Sequence, residues 1–291
     1  MGGATLYFGV DLGGTRLRMA AVNEDGRLAS ELVSVPTGRD FGPDDLRERL
    51  GELSSRLRGS VQAAVAALGF GTAGVVGEGP LTQCDNLPRL NGVDVGALVA
   101  GVAGCPVALE NDARCFTLAE ARFGAGRGAR DVVGITLGTG VGCGVMIGGR
   151  LHRGAFRQAG EVWRIPLRGR RLEDFVSGAG IVRNYEAKGG APGLDARRVA
   201  EAARTGDAAA IGAWRAYGED VAVLCETVVT LLDPELIVIG GSIAGAADLY
   251  HSLVAARLEE HGTRLVDAEL GPAAGVIGAA ALNMDGELHG A

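Results

Sequence analysis

The chain has 291 residues, with 28 Lys and Arg against 35 Asp and Glu for a net charge of −7, and 49 of its positions are glycine. At 47% hydrophobic and 22% charged it can bury a sizeable core, which excludes a disordered chain. The acidic balance argues against a nucleic-acid partner, which needs clustered cations to neutralise phosphates. No stretch approaches the ~20 apolar residues of a membrane span. The opening Met1-Gly2-Gly3-Ala4-Thr5 lacks a secretory pattern, and the five scattered cysteines form no C-x-x-C pair. The expectation is a cytoplasmic protein with reduced thiols, no membrane and no nucleic acid.

In chain order, the run Leu6-Tyr7-Phe8-Gly9-Val10 predicts a strand, broken by Asp11-Leu12-Gly13-Gly14-Thr15. A second strand over residues 17–22 follows, closed by the turn Asn23-Glu24-Asp25-Gly26, so the opening reads as an antiparallel meander. Leu46, Leu50, Leu53 and Leu57 repeat at helical spacing behind Pro43-Asp44-Asp45. A buried segment over 61–71 ends at Thr72-Ala73-Gly74, and the strand Val107-Ala108-Leu109 leads through Glu110-Asn111-Asp112 into a helix ending near Phe123. The order then recurs. A strand over 131–136 meets Leu137-Gly138-Thr139-Gly140, and residues 141–147 form its partner. Ile211, Trp214, Tyr217, Val221, Leu224, Val228 and Leu231 mark a long amphipathic helix. Leu236-Ile237-Val238-Ile239 reads as a buried strand closed by Gly240-Gly241, and 273–282 as a terminal helix. Each half thus opens with a hairpin whose first turn carries a Gly/Thr cluster, which predicts two similar α/β lobes facing each other across a cleft suited to a small molecule.

The turns Gly13-Gly14-Thr15 and Gly138-Thr139-Gly140 let a phosphate approach backbone N–H groups, with a threonine hydroxyl as a further donor. Each alone also reads as an ordinary tight hairpin. Asp11, just ahead of the first turn, would be repelled by a polyphosphate unless Mg²⁺ lay between them, directly or through water. Asn111 or Asp112 suits a helix cap. The alternative is that Asn111 binds a substrate hydroxyl while Asp112 accepts its proton, as a loose phosphoryl transition state requires. Glu161 and Glu173 suit paired hydroxyls of a sugar, or else surface salt bridges with nearby arginines. His152, His251, His261 and His289 form no cluster and read as surface or packing residues.

The motifs Asp11-Leu12-Gly13-Gly14-Thr15, Asn111-Asp112 and Leu137-Gly138-Thr139-Gly140-Val141-Gly142, with Arg153-Gly154, Ala159-Gly160-Glu161 and Gly240-Gly241, resemble in order the ROK family of sugar kinases and sugar-responsive repressors. The resemblance implies an α/β, actin/hexokinase-like fold of two ribonuclease-H-like lobes, divided into a smaller lobe over 1–112 and a larger one over 113–291, the last helix (about 273–283) packing back on the first. It implies ATP-dependent phosphorylation of a hydroxyl of a monosaccharide or sugar derivative, with Asp112 as catalytic base. Gly74, Asn86, Asn111, Glu161, Arg164 and Glu173 would meet the sugar. Asp11, Gly13, Gly14, Thr15, Gly138, Thr139, Gly140, Gly240 and Gly241 would hold ATP, with Mg²⁺ at Asp11, and a homodimer is implied. Family glucokinases continue the Glu161 motif as E-x-G-H and a cysteine-rich zinc loop. Here Arg164 replaces that histidine and the segment 165–172 has no cysteine, so no zinc site is expected and glucose itself is in question. Ala73 stands where the family has proline. The first strand follows Met1 too closely for the repressors' DNA-binding domain. A catalytically silent sugar sensor of the same fold is the alternative, and the residues leave the donor open between ATP and polyphosphate.

Overall fold

The computed structural model describes residues 5–77 and 79–284. Its principal elements in chain order are β1 (Leu6–Leu12), β2 (Arg16–Asn23), β3 (Val33–Pro36), α1 (Pro43–Ser60), β4 (Val65–Thr72), α2 (Val95–Ala103), β5 (Val107–Asn111), α3 (Asp112–Phe123), β6 (Val132–Leu137), β7 (Val141–Ile147), β8 (Arg150–Leu151), β9 (Pro166–Leu167), β10 (Arg170–Arg171), α4 (Glu173–Val176), α5 (Gly178–Ala187), α6 (Ala196–Arg204), α7 (Ala208–Leu232), β11 (Leu236–Gly240), α8 (His251–Leu258), β12 (Arg264–Asp267) and α9 (Ala274–Ala281). They fall into two compact units. One runs to Arg127 and includes Arg150–Ala159 and the chain from Leu270 on; the other comprises Gly128–Gly149 and Gly160–Glu269. Within the first unit, α3 packs against α9.

In the first unit the sheet order is β3-β2-β1-β4-β5. β1 and β2 are antiparallel across the Gly13–Thr15 turn, where Gly13 N–H donates to Arg16 O at 2.9 Å. β1, β4 and β5 are parallel, and their register sets Asp11 beside Gly71 and Gly71 beside Glu110, with Leu12, Thr72 and Asn111 in the next row. α1 begins with Pro43, and Asp45 Oδ2 accepts the Gly42 N–H at 2.8 Å; Leu46, Leu50, Leu53 and Leu57 bury the apolar face that their spacing predicts.

Glycines let helices lie directly on this sheet. A Cβ on Gly69 would stand 1.6 Å from Ala279 O, and one on Gly9 would stand 1.9 Å from Val276 O, both in α9. Where α3 and α9 cross, a Cβ on Gly278 would meet Cys115 O at 1.7 Å. No side chain fits in those gaps, so glycine is required for the close approach itself.

The second unit repeats the plan with the order β12-β11-β6-β7. β6 takes the place of β1, with an antiparallel partner in β7 and a parallel one in β11. α7 covers this sheet, burying Trp214, Tyr217, Val221, Leu224 and Val228. Ile211 and Leu231, which share the helical spacing, instead lie 50% and 73% exposed near the helix ends. α7 stops at Asp233, in a left-handed conformation with φ of 44°, just before Pro234.

One buried charge network holds the β5–α3 corner of the first unit. Glu110 is fully buried and accepts three donors: the Asn111 N–H at 2.9 Å, Arg114 Nη1 at 3.1 Å and Arg153 Nε at 2.5 Å. Arg114, 1% exposed, reaches on to the carbonyls of Arg157 and Ala159 at 2.8 and 2.9 Å. A carboxylate taken from water needs such a full set of donors. Glu110→Gln removes the charge facing two guanidinium groups, and it should lower unfolding free energy by about 3–5 kcal/mol, read as a reduced urea midpoint with an unchanged m-value.

Candidate active site

In the first unit the parallel strands deliver their carboxyl ends to one edge of the sheet, where Asp11 leaves β1 and Asn111-Asp112 join β5 to α3. Asn111 is the cap of α3: its Oδ1 accepts the N–H groups of Ala113 and Arg114 at 3.0 and 3.2 Å. Its Nδ2 donates to Gly74 O at 3.1 Å. The capping role is therefore real, and it leaves one amide hydrogen of Asn111 for a ligand. Asp112 accepts the N–H of Ala113 through Oδ1 at 2.8 Å and is only partly buried. Gly74 adopts φ of 95°, with Cys84 packed against it.

Two buried thiols report on the charges here. Cys115 is pushed well above the ordinary thiol range, first by burial and then by Glu110, Asp11 and Asp112, with Arg153 opposing. Cys84 is pushed up to about 11 by burial, with contributions from Asp112 and Asp85. The strand register sets Asp11, at the end of β1, and Asn111-Asp112, at the end of β5, at the same edge of the first unit's sheet, with β4 between them. Asp11 itself is raised by burial, against the lowering effect of Arg18, whose Nη1 donates to Oδ2 at 3.0 Å. Gly14 packs on Asn86, since a Cβ there would meet the asparagine Cβ at 2.7 Å. Thr15 is exposed on the same turn. The first unit thereby brings Asp11, Asn111, Asp112 and Gly74 into one neighbourhood, and Gly14 against Asn86.

In the second unit, Gly138 N–H donates to Gly140 O at 3.0 Å to close the β6–β7 turn, leaving Thr139 exposed at its tip. Gly178, at the start of α5, donates to Gly138 O at 2.9 Å. Gly241 adopts φ of 91° and crosses the end of β6 so closely that a Cβ would stand 2.3 Å from Leu137 O. The Gly138–Gly140 turn and the Gly240-Gly241 loop therefore adjoin. Glu173, in the first turn of α4, accepts the Val141 N–H through Oε2 at 3.0 Å. Glu161 follows Gly160, whose φ of 85° allows it to lie against Cys143 O. Its Oε2 accepts the indole N–H of Trp163 at 2.5 Å. Arg164 stacks on that same indole, its Cζ 4.9 Å from the ring centroid.

Residue patterns alone missed Glu110, Arg114 and Trp163. Glu110 and Arg114 carry a signal in their i, i+4 spacing, but the partners on Arg157 and Ala159 lie more than 40 residues along the chain and are not visible from it. His152 and His261 are exposed, and His251 Nε2 lies 3.8 Å from Asp267; His289 and Met1–Ala4 lie outside the described residues. All five cysteines are free. Among the described residues, no group of three or more His, Cys, Asp or Glu is placed to hold a metal ion, and no helix is long and apolar enough to cross a membrane.

Comparison with known proteins places this geometry in context. The family model described as "ROK family" matches residues 7–285. The chain is 32% identical to the N-acetylgalactosamine kinase AgaK of Shewanella sp., over 95% of this chain and 96% of that protein. Among solved structures, a ROK family glucokinase from Streptomyces griseus in complex with glucose and AMPPNP superposes with a TM-score of 0.81 at 27% identity, covering 95% of this chain and 98% of that one. A ROK hexokinase from Thermus thermophilus gives a TM-score of 0.81 at 28% identity, covering 94% and 96%. The fold is accordingly the actin/hexokinase-like α/β fold, and with the matched segment spanning nearly every described residue, the chain belongs to the ROK family.

Proposed function

We propose that the chain is an ATP-dependent kinase that phosphorylates a hydroxyl of a monosaccharide or sugar derivative, with Asp112 taking the proton of the attacking oxygen. The observation that carries this reading is the gathering of Asp11, Asn111 and Asp112 at the carboxyl ends of β1 and β5, one carboxylate suited to a cation and the other opening a helix. The names of its relatives support the class: an N-acetylgalactosamine kinase, and a glucokinase solved with glucose and an ATP analogue.

The roles follow from the residue chemistry. A phosphoryl group leaving through a loose transition state asks the protein for alignment and late collection of a proton, which a partly buried carboxylate provides without being a strong base. The remaining amide hydrogen of Asn111 orients the same hydroxyl, while Gly74, Asn86, Glu161 and Glu173 contact the rest of the sugar. The Gly13–Thr15 and Gly138–Gly140 turns offer N–H groups and threonine hydroxyls to phosphate oxygens, and Gly240 and Gly241 take the nucleoside end. Asp11 fits a hydrated magnesium ion: Arg18 engages Oδ2, and Oδ1 would be the oxygen to meet the ion or its water. When bound, that ion would neutralise charge developing on the phosphates.

Incubation with ATP, Mg²⁺ and a monosaccharide panel (glucose, N-acetylglucosamine, N-acetylgalactosamine, N-acetylmannosamine and their common epimers) should give sugar-dependent ADP release. Thermal stabilisation by a sugar without ADP would instead indicate a silent sensor. Asp112→Asn keeps an oxygen for the Ala113 N–H, so it should leave the sugar KM within a few-fold while lowering kcat by about 10²–10⁴.

Asp11→Asn separates activity from stability. A raised pKa means that the folded protein holds this proton more tightly than the unfolded chain does. Stability therefore falls as pH rises from the ordinary carboxylate range through the folded value. The neutral amide removes that loss, so the variant should melt at or above the native temperature at pH 7 without nucleotide, yet lose most of its magnesium-dependent turnover. A melting temperature well below native would contradict the burial argument.

A further inference from the structure

We propose that Trp163 is a positioning residue for the sugar-binding carboxylate of Glu161, and that Arg164 and Arg171 serve this task by holding the indole. The proposal rests on the reading that Glu161 meets the sugar. Its geometry is compact: Trp163 Nε1 donates to Glu161 Oε2 at 2.5 Å. Over the same ring stand two guanidinium groups, Arg164 Cζ at 4.9 Å and Arg171 Cζ at 5.0 Å from the centroid. Trp163 also packs, partly buried, against the apolar core of the second unit.

Each part has a physical reason. A glutamate that accepts a pair of sugar hydroxyls must sit in one rotamer, and its flexible chain loses much freedom when fixed only at the moment of binding. A bond made beforehand to one carboxylate oxygen removes part of that loss and leaves the other oxygen for the ligand. The indole N–H is a donor with no acceptor capacity, so it suits a partner that accepts, as the carboxylate oxygen does. The ring must in turn be fixed; Glu161 precedes, and Trp163 lies within, a single turn of 3₁₀-helix over Val162–Arg164. Two cations over one indole supply that constraint.

Arg171 reaches the ring because the intervening chain is a tight hairpin. β9 and β10 pair Leu167 with Arg170 and Pro166 with Arg171, and the turn residues Arg168 and Gly169 both have positive φ, 49° and 77°. That is the two-residue reversal that fits strand twist, and it returns Arg171 to the level of Pro166. A longer loop between Arg164 and Glu173 would not fix that register. Arg168, at the tip, is anchored separately by Asp220 of α7 and by stacking 4.3 Å from the Phe175 ring centroid.

Trp163→Phe tests this, because it keeps an aromatic ring for both guanidinium groups and deletes only the N–H. With the sugar that supports ADP release in the panel above, the sugar KM should rise about tenfold while kcat and the ATP KM stay within a factor of two and the thermal midpoint is unchanged. Trp163 and Trp214 are the two indoles of the chain. Sugar titration of the native protein should therefore change tryptophan emission, and the change should vanish in Trp163→Phe, where only Trp214 remains. Trp163→His, which restores a ring N–H, should recover part of the sugar affinity. A native sugar KM together with a retained emission change in Trp163→Phe would overturn the proposal. Glu161→Gln tells the two layers apart. If that variant binds the sugar as well as the native chain, the ligand role of Glu161 falls and the proposal with it. If it loses the sugar while Trp163→Phe does not, only the positioning role fails.

Discussion

Glu110, a carboxylate buried in the apolar interior, accepts the backbone N–H that follows it, a guanidinium from the next helix and a second from a segment far along the chain. That arrangement is a constraint before it is a stabilisation. Its three donors come from β5, from the first turn of α3 and from the stretch ending at Ala159, so satisfying the charge obliges all three to meet at one point. The corner it fixes is the one where Asn111 caps α3 and Asp112 begins it. The proposed chemistry needs a carboxylate in a defined place, and the buried network below defines that place. Buried charge pairs of this kind add little net free energy, and what they secure is a single geometry.

The glycine content has a related explanation. In the first unit, Gly9, Gly69 and Gly278 stand where α9 lies flat on the sheet or crosses α3, at separations that exclude any side chain. In the second unit, Gly160 and Gly241 bring loops against the carbonyls of Cys143 and Leu137. Backbone brought this near to backbone keeps loops rigid without bulk, which suits turns whose N–H groups are to meet phosphate oxygens.

Much of this plan was legible in the residues. The hairpins, α1, α7 and β11 follow from local periodicity and turn chemistry, and the repeated strand–turn–strand order foretold two sheets of the same topology. What was not legible depends on partners distant in sequence. Whether Asn111 serves as cap or ligand could not be decided from its position, and the structure commits most of its side chain to the cap. Glu110 reads as one more strand residue until Arg153 is brought beside it. Trp163-Arg164 reads as a mere departure from a family pattern until the indole is found on Glu161 and both arginines on the indole. Ile211 and Leu231 err the other way: they keep the helical period but lie exposed near the ends of α7. Spacing predicts a face and says nothing of how far its cover extends.

The helix α9, drawn from the far end of the chain, covers strands β1 and β4 made from its beginning. During synthesis these early strands emerge long before their cover, so the first sheet keeps an apolar face open while more than half of the protein is still being made. The second unit, whose segments fall between Gly128 and Glu269, is synthesised before α9. The opening unit cannot cover that face until α9 has been made, so a chain ending before α9 would leave it open to water.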